Sequence, residues 1–249
     1  MPLIKTSNPA LNQKIFQGQP VALEEAMTLN GTVNKTGILL LCCVATAAFA
    51  WHTFMATHSA AAVMPLLWTG LLGGFIFALA TIFKRTWAPY TAPIYALLEG
   101  LALGSISAVF EVRYPGIAMQ SVALTFGTMF VLLLAYRSHL IPVTQKLRLG
   151  IVAATGAIAI FYIAEIVLGF FGFHFGAING SGPIGIGFSI VIVIIASLNL
   201  ILDFDFIESG VQARAPKYME WYGAFGLMVT LVWLYLEILR LLSKVRGRD

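Results

Sequence analysis

The sequence predicts an all-α polytopic membrane protein with seven transmembrane helices. Three observations carry that expectation. Of 249 residues, 59% are hydrophobic and only 10% charged, where a soluble domain averages about 25% charged. Mean hydropathy is +0.88, and a large core cannot account for it, because a chain of this size still has to cover its surface with polar groups. Seven apolar runs also approach the roughly 20 residues that a helix needs to cross hydrocarbon.

The runs follow a polar arm, residues 1–35, which reads as cytoplasmic. Ser7-Asn-Pro-Ala is turn chemistry, Val21 to Met27 has the composition of a short helix, and Thr28 to Lys35 forms a polar lead-in. No short apolar region with a cleavage site marks a signal peptide. The membrane domain covers residues 36–242. Its spans are expected at Thr36–Met55, Ala61–Phe83, Ala92–Phe110, Ile117–Tyr136, Leu149–Phe171, Pro183–Phe206 and Tyr218–Leu242, and a basic tail, residues 243–249, closes the chain.

The net charge of +4 does not point to nucleic acid, because the cations sit in short loops and at the C-terminus. With the N-terminus inside, the inner loops carry Lys5, Lys14, Lys35, Lys84, Arg85, Arg137, Lys146, Arg148, Arg214 and Lys217, and the outer loops only Arg113. The tail cations Arg240, Lys244, Arg246 and Arg248 disagree, since seven crossings put them outside; a six-span or re-entrant arrangement would put both ends inside. Cys42 and Cys43 are adjacent in an apolar run, which reads as packing.

Gly70 with Gly74, and Gly100 with Gly104, stand four apart, a spacing that lets helix backbones approach closely in lipid. Asn179-Gly-Ser-Gly-Pro183-Ile-Gly185-Ile-Gly187 reads either as a plain loop or as the unwound helix start that transporters use.

Acid within a span is costly and normally faces protein or water. Leu202-Asp-Phe-Asp-Phe-Ile-Glu208 closes the sixth run with three carboxylates, where membrane segments ordinarily end in aromatics and cations. Asp203 lies near its inner end, with Asn199 one turn earlier on the same face; Asp205 is about 200° round the helix and, with Glu208, reads as loop rim. Glu99 lies in the third run with no cation near it in sequence. Glu165 falls in the outer half of the fifth and Glu237 near the end of the seventh, three residues from Arg240, the spacing of an intrahelical pair. Carboxylates in a low-dielectric bundle take up protons readily and, as hard oxygen ligands, attract Ca²⁺, so protons and metal compete for the same oxygens.

Other chemistries are poorly served. His52, His58, His139 and His174 lack ligand spacing, and there is no Gly-x-Ser-x-Gly and no phosphate-cradling loop with lysine. The expectation is a protein that is not an enzyme and needs no cofactor, Ca²⁺ entering only as a transported ion.

The chain resembles the Bax inhibitor-1/YccA family, also called the transmembrane BAX inhibitor motif family, in its bacterial branch with an extended N-terminal arm. The resemblance rests on Ser7-Asn-Pro-Ala-Leu, Met27-Thr-Leu-Asn-Gly-Thr-Val-Asn-Lys-Thr-Gly37, Ala92-Pro-Ile-Tyr-Ala-Leu-Leu-Glu-Gly100, Leu202-Asp-Phe-Asp-Phe-Ile-Glu208 and Ala215-Pro-Lys-Tyr-Met-Glu-Trp-Tyr222. It implies a seventh helix at the centre, wrapped by the other six, and a pH-sensitive Ca²⁺ leak in the bacterial inner membrane. The family's sensor is a pair of aspartates, one late in the sixth helix and one within the seventh, with a second-helix arginine as latch. Asp203 matches the first aspartate. Counting from Leu239-Arg240, the second falls on Thr230; Glu237, seven residues on, is about 10 Å further along the axis. The latch matches only approximately, at Lys84 or Arg85. Asp203, Asn199, Thr230, Glu99, Glu237 and Asp205 are therefore the expected proton and cation residues, Asp203 the possible Ca²⁺ ligand.

Two alternatives stand beside the leak. One is a non-conducting interaction protein that restrains a membrane-bound AAA protease, which the polar arm suits. The other is a proton-coupled transporter, resting on the Gly- and Pro-rich entry to the sixth span and on the acids within the spans.

Overall fold

A computed structural model describes residues 26–172 and 176–248. Among the described residues, seven helices are long and apolar enough to cross a membrane. They are α1 (Leu29–Thr57), α2 (Ala60–Phe83), α3 (Ala88–Arg113), α4 (Ile117–Arg137), α5 (Gln145–Phe170), α6 (Pro183–Gln212) and α7 (Met219–Arg246), with a 3₁₀ turn at Arg85–Trp87 and a single helical turn at Gly176–Asn179. The chain is an all-α polytopic membrane protein.

Helix ends differ from the expected spans for local reasons. The polar lead-in from Thr28 is the first part of α1 rather than a loop. Thr28, in extended conformation, caps the helix by accepting from Gly31 N at 3.0 Å, so the helix starts seven residues before the apolar run. Only Ala26 and Met27 of the segment expected as a short helix are described, and neither is helical: Ala26 forms an isolated bridge with Pro216, and Met27 N donates to Ala215 O at 2.7 Å. The rest of the arm lies outside the described residues. In α3, Pro89 sits in the first turn, where its missing N–H costs nothing, so the helix begins before Ala92. Helix α6 runs on to Gln212, so Asp205 and Glu208 are helical rather than loop residues.

The chain forms two compact units. The first comprises Met1–Pro115 with Asp203–Val229. Here the paired glycines set the packing of α1, α2 and α3. A Cβ at Gly100 would run into the Cys43 carbonyl and one at Gly104 into that of Ala47, so α3 lies directly on the α1 backbone. On its other side, a Cβ at Gly70 of α2 would stand 2.6 Å from Leu98 O. Gly70, Gly100 and Gly104 thus take the expected role against a neighbouring backbone, while Gly74 meets the Glu99 carboxylate. Hydroxyls in this apolar setting bond the carbonyl one turn back, Thr32 to Thr28, Thr36 to Thr32 and Thr81 to Phe77, and Thr81 also meets Thr91 of α3 at 2.7 Å.

The second unit comprises Gly116–Leu202 with Thr230–Asp249. Asn199 of α6 donates to Thr155 Oγ1 of α5 at 2.8 Å, and Phe161 meets Phe188 edge-on at 5.0 Å. Pro183 opens α6, which is continuous from there, so Gly185 and Gly187 are helical, and residues 180–182 form a bend between the Gly176–Asn179 turn and α6. Three of the four tail cations have local partners. Arg240 pairs with Glu237, Lys244 is buried among carbonyls, and Arg246 donates to Gln120 at 2.8 Å.

Candidate functional site

Asp203 is half-buried in the last third of α6. It faces α7 at Gly226, where a Cβ would stand 3.9 Å from Asp203 Oδ1. A glycine at that point leaves the carboxylate in direct reach of the α7 backbone. The residue one turn further along the same face of α7 is Thr230, buried; one turn back is Tyr222.

Tyr222 identifies the cation. Arg85 lies over its ring at 5.7 Å from the centroid, whereas Lys84 is exposed and lies over Trp87 at 4.3 Å. Of the two latch candidates, Arg85 is the one directed at α7. Arg85 on Tyr222 and Asp203 on Gly226 are thus one turn apart on one helix, about 6 Å along its axis. Aromatic rings surround this end of α7: Phe206 stands 6.0 Å from Tyr222, and Phe225 meets Tyr95 edge-on at 5.0 Å.

The other expected residues are placed elsewhere. Asn199 is engaged with Thr155 and with the Ile195 carbonyl, so its amide ties α5 to α6. Asp205 is half-buried on α6, and Glu208, exposed, accepts from Gln212 at 3.3 Å. Glu237 is buried in the second unit: Oε1 accepts from Tyr162 at 2.7 Å and from Trp233 at 3.3 Å, with Arg240 at 3.6 Å. The intrahelical pair is present, and Tyr162 of α5 joins it. Glu165 accepts from Asn179 beyond the end of its helix. Glu99 sits near the middle of α3, its Oε2 against Gly74. Among the described residues, no group of three or more His, Cys, Asp or Glu could hold a metal ion.

Sequence reasoning missed the centre of the first unit's polar network. Glu220, in the first turn of α7, is fully buried. Its Oε1 accepts from Thr28 N at 2.9 Å and Thr28 Oγ1 at 2.8 Å, and Lys217 stands 2.9 Å away. Its Oε2 takes the Lys35 ammonium. Gly31 is required beside it, because a Cβ there would overlap the carboxylate. The acid also lies at the N-terminus of α1, where unpaired N–H groups favour negative charge. The signal was present in two quoted motifs, one ending at Gly37 and one holding Lys217 and Glu220, but nothing local joins them.

No curated protein and no solved structure matches the chain. A family model described as Bax inhibitor 1 like matches residues 8–247. With seven apolar helices and that match over nearly its whole length, the chain belongs to the Bax inhibitor-1-like family.

Proposed function

We propose that the protein is a pH-sensitive leak for Ca²⁺ or another cation in a bacterial inner membrane, its N-terminus cytoplasmic. The observation that carries this reading is Asp203: a carboxylate within a membrane helix, set against a glycine of α7, with Arg85 one turn away on the same helix. Ca²⁺ takes six to eight oxygens, and Asp203 supplies two. A passing ion completed by water and carbonyls suits that donor set better than a stored one. Proton control then rests on Asp203 and on Arg85's hold over Tyr222, because position 230 carries a hydroxyl where the family's second aspartate is expected. The test is Ca²⁺ entry into liposomes across pH for wild type and Asp203→Asn. Wild type should conduct in a pH-dependent way, and the variant should lose that dependence. Equal flux from both, or none above protein-free liposomes, sinks the reading.

A second reading is an interaction protein that restrains a membrane AAA protease. It is favoured by the fixed exit point of the arm, since Ala26 and Met27 are tied to Pro216 and Ala215. Deleting residues 1–25 leaves the Thr28 cap and Lys35 in place; it should abolish capture of the partner under this reading and leave flux intact under the first. The transporter reading now rests on the buried acids, because α6 is continuous from Pro183.

A further inference from the structure

Glu99 lies eleven residues into α3, about 17 Å along the helix at about 1.5 Å per residue. That is deeper than its place in the apolar run implied, because α3 starts at Ala88. Its carboxylate rests on α2 at Gly74, where a Cβ would stand 2.8 Å from Oε2. A side chain at position 74 would push that oxygen aside, so the glycine leaves room for it. No hydrogen bond or ion pair engages Glu99 among the described residues. The titratable groups near it are Cys43 from α1 and Tyr95 from its own helix, and from α2 Gly74 meets the carboxylate. None of these is a cation.

Three occupants of that carboxylate are chemically distinct. Among the described residues no cation pairs with it. A divalent metal needs several oxygens, and the facing groups are a thiol, a phenol and a glycine. An ionised carboxylate left alone in low dielectric carries a desolvation cost of many kcal/mol. The proton is the one ligand that needs only the carboxyl itself. We propose that Glu99 is a proton-binding site of its own, distinct from Asp203, whose occupied form lets α2 and α3 close on each other at Gly74. Release of the proton puts a bare charge on that seam, which must open to admit water or a counter-ion.

Glu99 is half-buried, and a lipid-soluble carbodiimide is the reagent that partitions into the hydrocarbon around it. The reaction reports the proton. The carboxyl O–H adds across one C=N bond, oxygen to the central carbon and hydrogen to nitrogen, and the O-acylisourea rearranges to a stable N-acylurea with nothing lost. In proteoliposomes treated with dicyclohexylcarbodiimide, mass spectrometry should find the adduct on Glu99, falling severalfold from mildly acidic to mildly alkaline buffer. Glu99→Gln, which resembles the protonated acid, should match wild type in thermal stability in acid buffer and exceed it in alkaline buffer. No adduct on Glu99 at any pH, an adduct indifferent to pH, or a Gln variant less stable than wild type throughout would overturn the proposal. Neither readout uses ion flux, so it stands or falls apart from the leak.

Discussion

The Lys35 ammonium donates to the Glu220 carboxylate, joining two residues 185 apart in sequence. Around that pair, the cap of α1 and the first turn of α7 form one polar network with Thr28 and Lys217. Glu220 is fully buried while Lys217 is half-exposed, and the two should respond differently to truncation. Glu220→Ala leaves the Lys35 charge and the Thr28 N–H without their acceptor and should cost about 3 kcal/mol. Lys217→Ala should cost under about 1 kcal/mol. Thermal unfolding of both variants in detergent measures the difference, and equal losses would refute this view of the network.

The glycine seams predict a sharp contrast between positions. Gly100→Ala forces a methyl group into the Cys43 carbonyl and should destabilise by about 1–3 kcal/mol. Gly127 has open space around it, so Gly127→Ala should be neutral or slightly stabilising. The melting temperatures of the two variants decide the matter.

Arg85 and Lys84 are neighbours with different duties. Losing a cation–ring contact of about 1 kcal/mol shifts a two-state balance about fivefold. Arg85→Ala should therefore raise Ca²⁺ leak into liposomes by about that factor, and Lys84→Ala should leave it unchanged. Identical leak from both variants would remove Arg85 from the latch.

Lys244 is 6% exposed and donates to Ile178 O at 2.8 Å, Ser189 Oγ at 2.9 Å and Gly185 O at 3.2 Å. Lys244→Ala should release the turn that leads into α6. Hydrogen exchange should rise at the backbone amides of residues 178–186, with a stability loss of about 2–3 kcal/mol. Unchanged exchange there would mean the turn holds without its lysine.

The Asn199–Thr155 bond is suited to a double-mutant cycle with Asn199→Ala and Thr155→Val. Interhelical hydrogen bonds in membranes average about 0.6 kcal/mol, and the coupling energy should be of that size. A coupling near zero would show that the amide acts through Ile195 alone.

The helices were legible because hydrocarbon demands long apolar runs, and the glycine seams because a spacing of four puts small residues on one face. The pair of Glu237 with Arg240 was legible for the same reason, being local. The partners of Glu220 and Lys244 were not, since each is joined to residues far away in sequence, and periodicity carries no information about which remote segment returns. The start of α1 was hidden by Asn30, Asn34 and Lys35, whose polarity resembles a loop. Thr28 was the readable clue, a capping residue placed just ahead of Leu29. Asp203 was legible as an acid in the wrong place; its setting against Gly226 was not.

The first unit is discontinuous, Met1–Pro115 being completed by Asp203–Val229, and this has a consequence for synthesis. The glycine seams of α1, α2 and α3 can zip as soon as those helices are made, since their contacts lie within about 75 residues of one another. Lys35 must wait. Its carboxylate partner leaves the ribosome only after α4, α5 and α6, so the beginning of α1 is fastened by the first turn of α7, made long after it. A chain truncated before α7 would hold its first three helices together with their entry left untied.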